Sequence, residues 1–112
     1  MNDVLNYRVV LSKDAYDDIA NFKMYILKNF GYREYAENFQ NKIRKAIKKL
    51  TLFAKGYEKT NFVVEGKNIY YKPYSTYLIF YVVEDMEVII ARVLKDGMQW
   101  QAVMNRTRKI MK

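Results

Sequence analysis

The chain has 112 residues, of which 51% are hydrophobic and 16% aromatic, and its 20 Lys+Arg against 12 Asp+Glu leave a net charge of +8. That composition suits one compact domain with its own core and excludes a disordered polar tail. With no cysteine and no histidine, the chain has no disulfide scaffold, thiolate zinc site, cysteine nucleophile, Ser-His-Asp triad or histidine acid–base pair.

In chain order, Tyr7–Leu11 is short, β-branched and apolar, and predicts a strand. Ser12 follows as an N-cap, with Asp14, Asp17 and Asp18 in the first turns, where negative charge suits the helix dipole better than it suggests a magnesium site. Ala15, Ile19, Phe22 and Ile26 recur at helical spacing, and Gly31 is placed to end that helix. A second helix is predicted from about Arg33 to Phe53, with Ala36, Phe39, Ile43, Ile47 and Leu50 on its apolar side. Its remaining faces carry Lys42, Arg44, Lys45, Lys48 and Lys49. Two amphipathic helices joined this closely form an αα-hairpin.

From Asn61 the period changes to two. Asn61–Val64 and Asn68–Lys72 read as one strand interrupted by Glu65-Gly66. Thr76–Val83 is a central strand, Glu84-Asp85 a turn, and Glu87–Leu94 the strand that pairs back. After Gly97, the spacing of Met98, Ala102, Met104 and Ile110 predicts a basic helix over about 98–112, bearing Arg106, Arg108, Lys109 and Lys112. The expected fold is therefore α+β, in the order β-α-α-β-β-β(-α). Its mainly antiparallel four-stranded sheet carries the helical hairpin on one face. No linker or repeat interrupts the chain, so residues 1–112 are expected to form a single domain with its core over about 7–104.

The longest apolar run, Tyr77–Val83, falls far short of the ~20 residues a membrane-spanning helix needs. The N-terminus has no basic segment leading into an apolar stretch, so a cytoplasmic protein is expected. The basic balance favours a polyanionic partner: nucleic acid, ribosome or an acidic protein.

The order of elements resembles the RelE/ParE superfamily of bacterial type II toxin–antitoxin toxins. YRVVLSKDAYDDI is similar to that family's first strand, Ser cap and first helix. IYYKPYSTYLIFYVV, with Tyr77 and Tyr81, is similar to its second and third strands. VIIARVLKDGMQW, with Arg92, Val93, Leu94, Gln99 and Trp100, is similar to its last strand and the turn beyond. The resemblance spans about residues 7–104. It has departures: Tyr70 stands where many members carry arginine, and Lys95-Asp96-Gly97-Met98 replaces a His-Gly-Arg element. Of the usual arginine cluster, Arg92 is kept.

The resemblance implies a toxin paired with a cognate acidic, partly disordered antitoxin. It also implies ribosome-dependent, metal-independent cleavage of mRNA. Its alternatives are ParE-like poisoning of DNA gyrase without cleavage, or an inactive member kept for antitoxin binding. No cofactor is expected. Cleavage needs a base for the 2′-hydroxyl, cations for the pentacoordinate phosphate and an acid for the leaving 5′-oxygen. Without histidine, only a shifted Lys, Glu or Tyr moves those protons, while Arg supplies charge.

The catalytic candidates are Arg92, Lys72, Lys95 and Lys67, and the RNA-binding candidates are Tyr70, Trp100, Lys45, Lys48 and Lys49. Strand alternation puts Asn68, Tyr70 and Lys72 on one face, and Arg92 on the side of Val88, Ile90 and Leu94. Each candidate also has a structural reading. Lys72 is then an exposed solubilising lysine and Arg92 an ion pair with an adjacent strand. Tyr70 is then sheet packing, Trp100 a cap over the core, and the Lys42–Lys49 run a solvated helix face.

Overall fold

A computed structural model describes residues 6–54, 57–107 and 110. Ser12 sits between β1 (Arg8–Leu11) and α1 (Lys13–Phe30) and serves both. Its backbone is extended, its hydroxyl accepts from the Ala15 N–H at 3.0 Å, and it donates to the Ala91 carbonyl at 2.9 Å. The cap that starts the helix thus also ties it to the sheet. Gly31, at φ 73°, ends α1 in the left-handed conformation that glycine tolerates best, with its N–H on the Leu27 carbonyl.

The second helix is shorter than the periodicity predicts. It runs as α2 (Arg33–Lys48), and a separate turn, α3 (Leu50–Phe53), follows Lys49. The break redirects the chain so that Leu50 and Ala54 are fully buried and the Thr51 carbonyl accepts from the Tyr7 N–H at 2.7 Å. A tertiary hydrogen bond to the start of β1 wins over continuation of the helix.

The sheet has five strands, one more than expected. Their order is β1, β5 (Glu87–Lys95), β4 (Tyr77–Glu84), β3 (Lys67–Tyr74) and β2 (Glu58–Val64). β1 lies parallel to β5 and every other pair is antiparallel. The extra strand comes from Glu65-Gly66, which does not interrupt a single strand but reverses the chain. Both residues have positive φ, 54° and 77°, so they form a two-residue hairpin turn and bring Val63 opposite Asn68.

The alternation along β5 is also broken. Tyr81 opposes Ile90, whereas Phe80 opposes Arg92, so Ala91 is an inserted bulge residue. One inserted residue exchanges faces downstream. Arg92 and Leu94 are therefore not on the side of Val88 and Ile90.

The hairpin covers one face of the sheet, burying Ile19, Ile43 and Leu50 against Ile79, Tyr81, Ile90 and Val93. The opposite face buries Ile69, Phe80, Val82 and Leu94 beneath Met104 of α4 (Trp100–Arg106). This last helix is shorter than expected, and Arg108, Lys109 and Lys112 lie outside the described residues. Beyond it the Ile110 N–H donates to Glu65 Oε1 at 3.0 Å. Among the described residues no helix is long and apolar enough to cross a membrane.

Tyr81 is fully buried and its hydroxyl donates to the Ala54 carbonyl at 2.6 Å. Burial pushes its pKa far above the ordinary tyrosine value, and the neighbouring Tyr57 and Tyr70 push in the same direction. A folded-state pKa above the unfolded one contributes stability that is complete below the unfolded pKa, about 10, and declines as pH rises beyond it. Tyr81→Phe is therefore expected to cost about 1 kcal/mol at neutral pH through the lost hydrogen bond. The gap between wild type and variant should narrow above pH ~10. Denaturant unfolding of both proteins from pH 7 to 11 checks this. A gap that stays constant would mean that Tyr81 ionises alike in both states.

Candidate functional site

Arg92, the arginine kept from the family pattern, is held by α1. Its Nε donates to Asp18 Oδ2 and its Nη2 to Asp18 Oδ1, both at 2.7 Å, and the Val93 N–H also donates to Oδ2 at 2.9 Å. The carboxylate thus closes a bidentate fork and satisfies a backbone donor of β5 beyond the end of β1. These hydrogen bonds raise the Arg92 pKa, against the opposing effect of burial. The structural reading of Arg92 therefore has its partner on the first helix, not on a neighbouring strand.

Lys72 is buried, with only 6% of its surface exposed, so the reading of it as an exposed solubilising lysine does not hold. Its Nζ donates to the Tyr57 hydroxyl at 3.0 Å and lies 4.8 Å from the centre of that ring. Tyr70, two residues earlier on the same face, stacks on Tyr81 at 5.5 Å and an interplanar angle of 15°. The structure therefore brings together Lys72, Tyr70, Tyr57 and Tyr81 beneath the hairpin. Tyr57 carries no periodic or motif signal in the sequence, and only the fold reveals it as the partner of Lys72.

The other candidates do not join this group. Lys67 Nζ lies 3.6 Å from Glu84 Oε2, at one end of β4. Lys95 is exposed and pairs in register with Tyr77, at the other end of β4. At about 3.3 Å per residue the two are separated by roughly 23 Å of strand. Trp100 lies on the opposite face, where it packs against Phe80 at 5.2 Å, Phe62 at 5.6 Å and Tyr71 at 6.5 Å. It caps that core. Beside it, the Tyr71 hydroxyl donates to Glu58 at 2.7 Å, and this bond raises the Tyr71 pKa.

Lys45, Lys48 and Lys49 are exposed along the hairpin. Lys48 also lines a groove of about 570 Å³ between the hairpin and β1. Its floor is aliphatic, with Val9, Leu11, Ile19 and Ile47, and its rim carries Lys23, Arg44 and Lys48. A second cavity, about 910 Å³, is lined by Phe22, Tyr25, Phe30, Tyr35 and Tyr77, with Lys95 at its edge. Tyr25, Phe30 and Tyr35 lie close to Gly31 in the sequence, but their spacing marks them neither as exposed nor as the lining of one cavity. Among the described residues no group of three or more acidic side chains is placed to hold a metal ion.

A family model described as the ParE toxin of the parDE type II toxin–antitoxin system matches residues 9–100. Among solved structures, the chromosomal ParDE toxin–antitoxin system from P. aeruginosa contains a chain of similar fold. It has a TM-score of 0.64 and 17% identity, and the match covers 80% of this chain and 95% of that one. No curated protein sequence matches.

Proposed function

The chain belongs to the ParE family of toxins of type II toxin–antitoxin systems, and from that premise we propose that it acts in the cytoplasm as a poison of DNA gyrase, by binding and without cutting nucleic acid. The observation that carries this reading is the dispersal of its cations. Cleaving a phosphodiester requires a base, an acid and a cation within hydrogen-bond reach of one phosphate, about 3 Å. Arg92 is engaged by Asp18, Lys72 by Tyr57 and Lys67 by Glu84. Lys95 is at the far end of the sheet from Lys67. A poison needs surface complementarity and no proton relay, and a net charge of +8 favours encounter with a DNA-bound target.

The same reading supplies a cognate antitoxin. An acidic amphipathic segment that orders on binding fits the aliphatic groove, its carboxylates facing Lys23, Arg44 and Lys48.

The test sets the purified protein against gyrase in a supercoiling assay, and against mRNA in a reconstituted translation reaction. Supercoiling should be lost at protein excess while the message stays intact. New 5′ ends inside codons, absent with Arg92→Ala, would overturn the proposal in favour of the ribosome-dependent nuclease. If neither target responds, the remaining role is antitoxin binding by an inactive member.

A further inference from the structure

Around the turn at Gly31 the chain exposes rings where polar groups are expected. Tyr25, Phe30, Tyr32 and Tyr35 are 57%, 58%, 62% and 53% exposed. Phe30 and Tyr32 each meet Tyr35 edge-on, at 6.2 and 5.5 Å, so the three rings brace one another while more than half of each stays open to solvent. No core requires this arrangement, and an exposed aromatic patch of this kind marks a binding surface more often than chance.

The charges beside it are mainly basic. Between residues 23 and 35 stand Lys23, Lys28 and Arg33 against Glu34 alone. Lys28 and Arg33 are exposed, and Lys95 edges the cup that Tyr25, Phe30 and Tyr35 share. Among the described residues none of these three has an ion-pair partner. Open ring faces with unpaired cations between them are what unpaired bases and their phosphates require. A duplex hides its bases from such rings. A second copy of this chain would set the same cations against each other.

The geometry points to a docking surface for single-stranded nucleic acid at the tip of the helical hairpin. It is separate from the aliphatic groove assigned to the antitoxin and independent of any cleavage chemistry. Stacking on the tyrosines supplies the preference for unpaired bases, and Lys28, Arg33 and Lys95 meet the backbone.

Fluorescence anisotropy on the full chain tests this, using labelled oligo-dT and oligo-U of about 12 nucleotides, within the span of known single-strand sites. A duplex of equal length and polyglutamate serve as competitors. Single strands should bind at least about tenfold more tightly than duplex, and Tyr32→Ser with Tyr35→Ser should weaken them by about tenfold or more. Lys28→Ala should reduce the salt dependence of binding. A preference for oligo-dT or oligo-U assigns DNA or RNA as the source. Tyr25→Ser provides a second variant should the double substitution lower the melting temperature. Undiminished binding by Tyr32→Leu, which keeps apolar surface but removes the ring, would overturn the proposal in favour of a protein-docking face. Equal affinity for strand, duplex and polyglutamate would reduce it to net charge, and no binding at all would end it.

Discussion

Replacing Asp18 by asparagine is expected to destabilise the protein by about 3 kcal/mol, the lower part of the range for breaking a buried ion pair from one side. The carboxylate is 11% exposed and the guanidinium 25%, so water screens the pair only in part. Asparagine keeps the volume but turns an amide N–H₂ toward donors that need an acceptor, leaving Arg92 and the Val93 N–H short of partners. At about 4 °C per kcal/mol for a chain of this size, the melting temperature should fall by roughly 12 °C. Converting both residues together, Asp18→Leu with Arg92→Met, should recover part of that loss, because no charge is then stranded. A loss below about 1 kcal/mol for Asp18→Asn would place the pair with ordinary surface salt bridges. Arg92 would then be available to a phosphate, and the case for binding without cleavage would weaken.

Phe80→Ala should cost at least as much, about 4 kcal/mol, within the range for deleting a buried phenylalanine ring. Phe80 is fully buried on the face that α4 covers, and it touches both Tyr71 and Trp100. That cluster is smaller than the one beneath the hairpin, so it has fewer side chains able to collapse into the space. Trp100 is the one tryptophan in the chain and reports directly on this site. Its emission should shift to the red in the variant while the helix content of the hairpin persists. A stability loss with unchanged Trp100 emission would show that Val103 and Met104, not the ring stack, hold α4 in place.

The consequences for function run through the same two sites. The Asp18–Arg92 clasp joins α1 to the far part of β5, and both cavities are bounded by α1. Loosening it should alter the aliphatic groove and the aromatic cup together. Loss of the Trp100 cap acts on the opposite face and leaves both cavities lined as they are.

Sequence alone determined the elements whose causes lie within a few residues of each other. Ser12 reads as a cap because its hydroxyl reaches the Ala15 N–H three positions on. Gly31 reads as a stop because a left-handed residue is needed there. The spacing of Ile43, Ile47 and Leu50 shows which side of the second helical segment is buried, and the continuous apolar run of β4 marks a strand covered on both faces. The family's motifs carry the α+β arrangement as well. What the tertiary structure decided depends on partners far apart in the chain or on a single inserted residue. Asp18 meets Arg92 across 74 positions, and no local pattern distinguishes it from Asp14 or Asp17. Ala91 shifts the register of β5, and Glu65-Gly66 turns one expected strand into two; periodicity cannot register either event before pairing is known. Lys72 is the clearest case. On a strand it reads as a surface lysine, and its burial follows only once the hairpin lies over that face of the sheet and brings Tyr57 to its ammonium. Backbone hydrogen bonding and side-chain period act over short distances and are written locally. The surroundings of a charge are set by the elements that close over it.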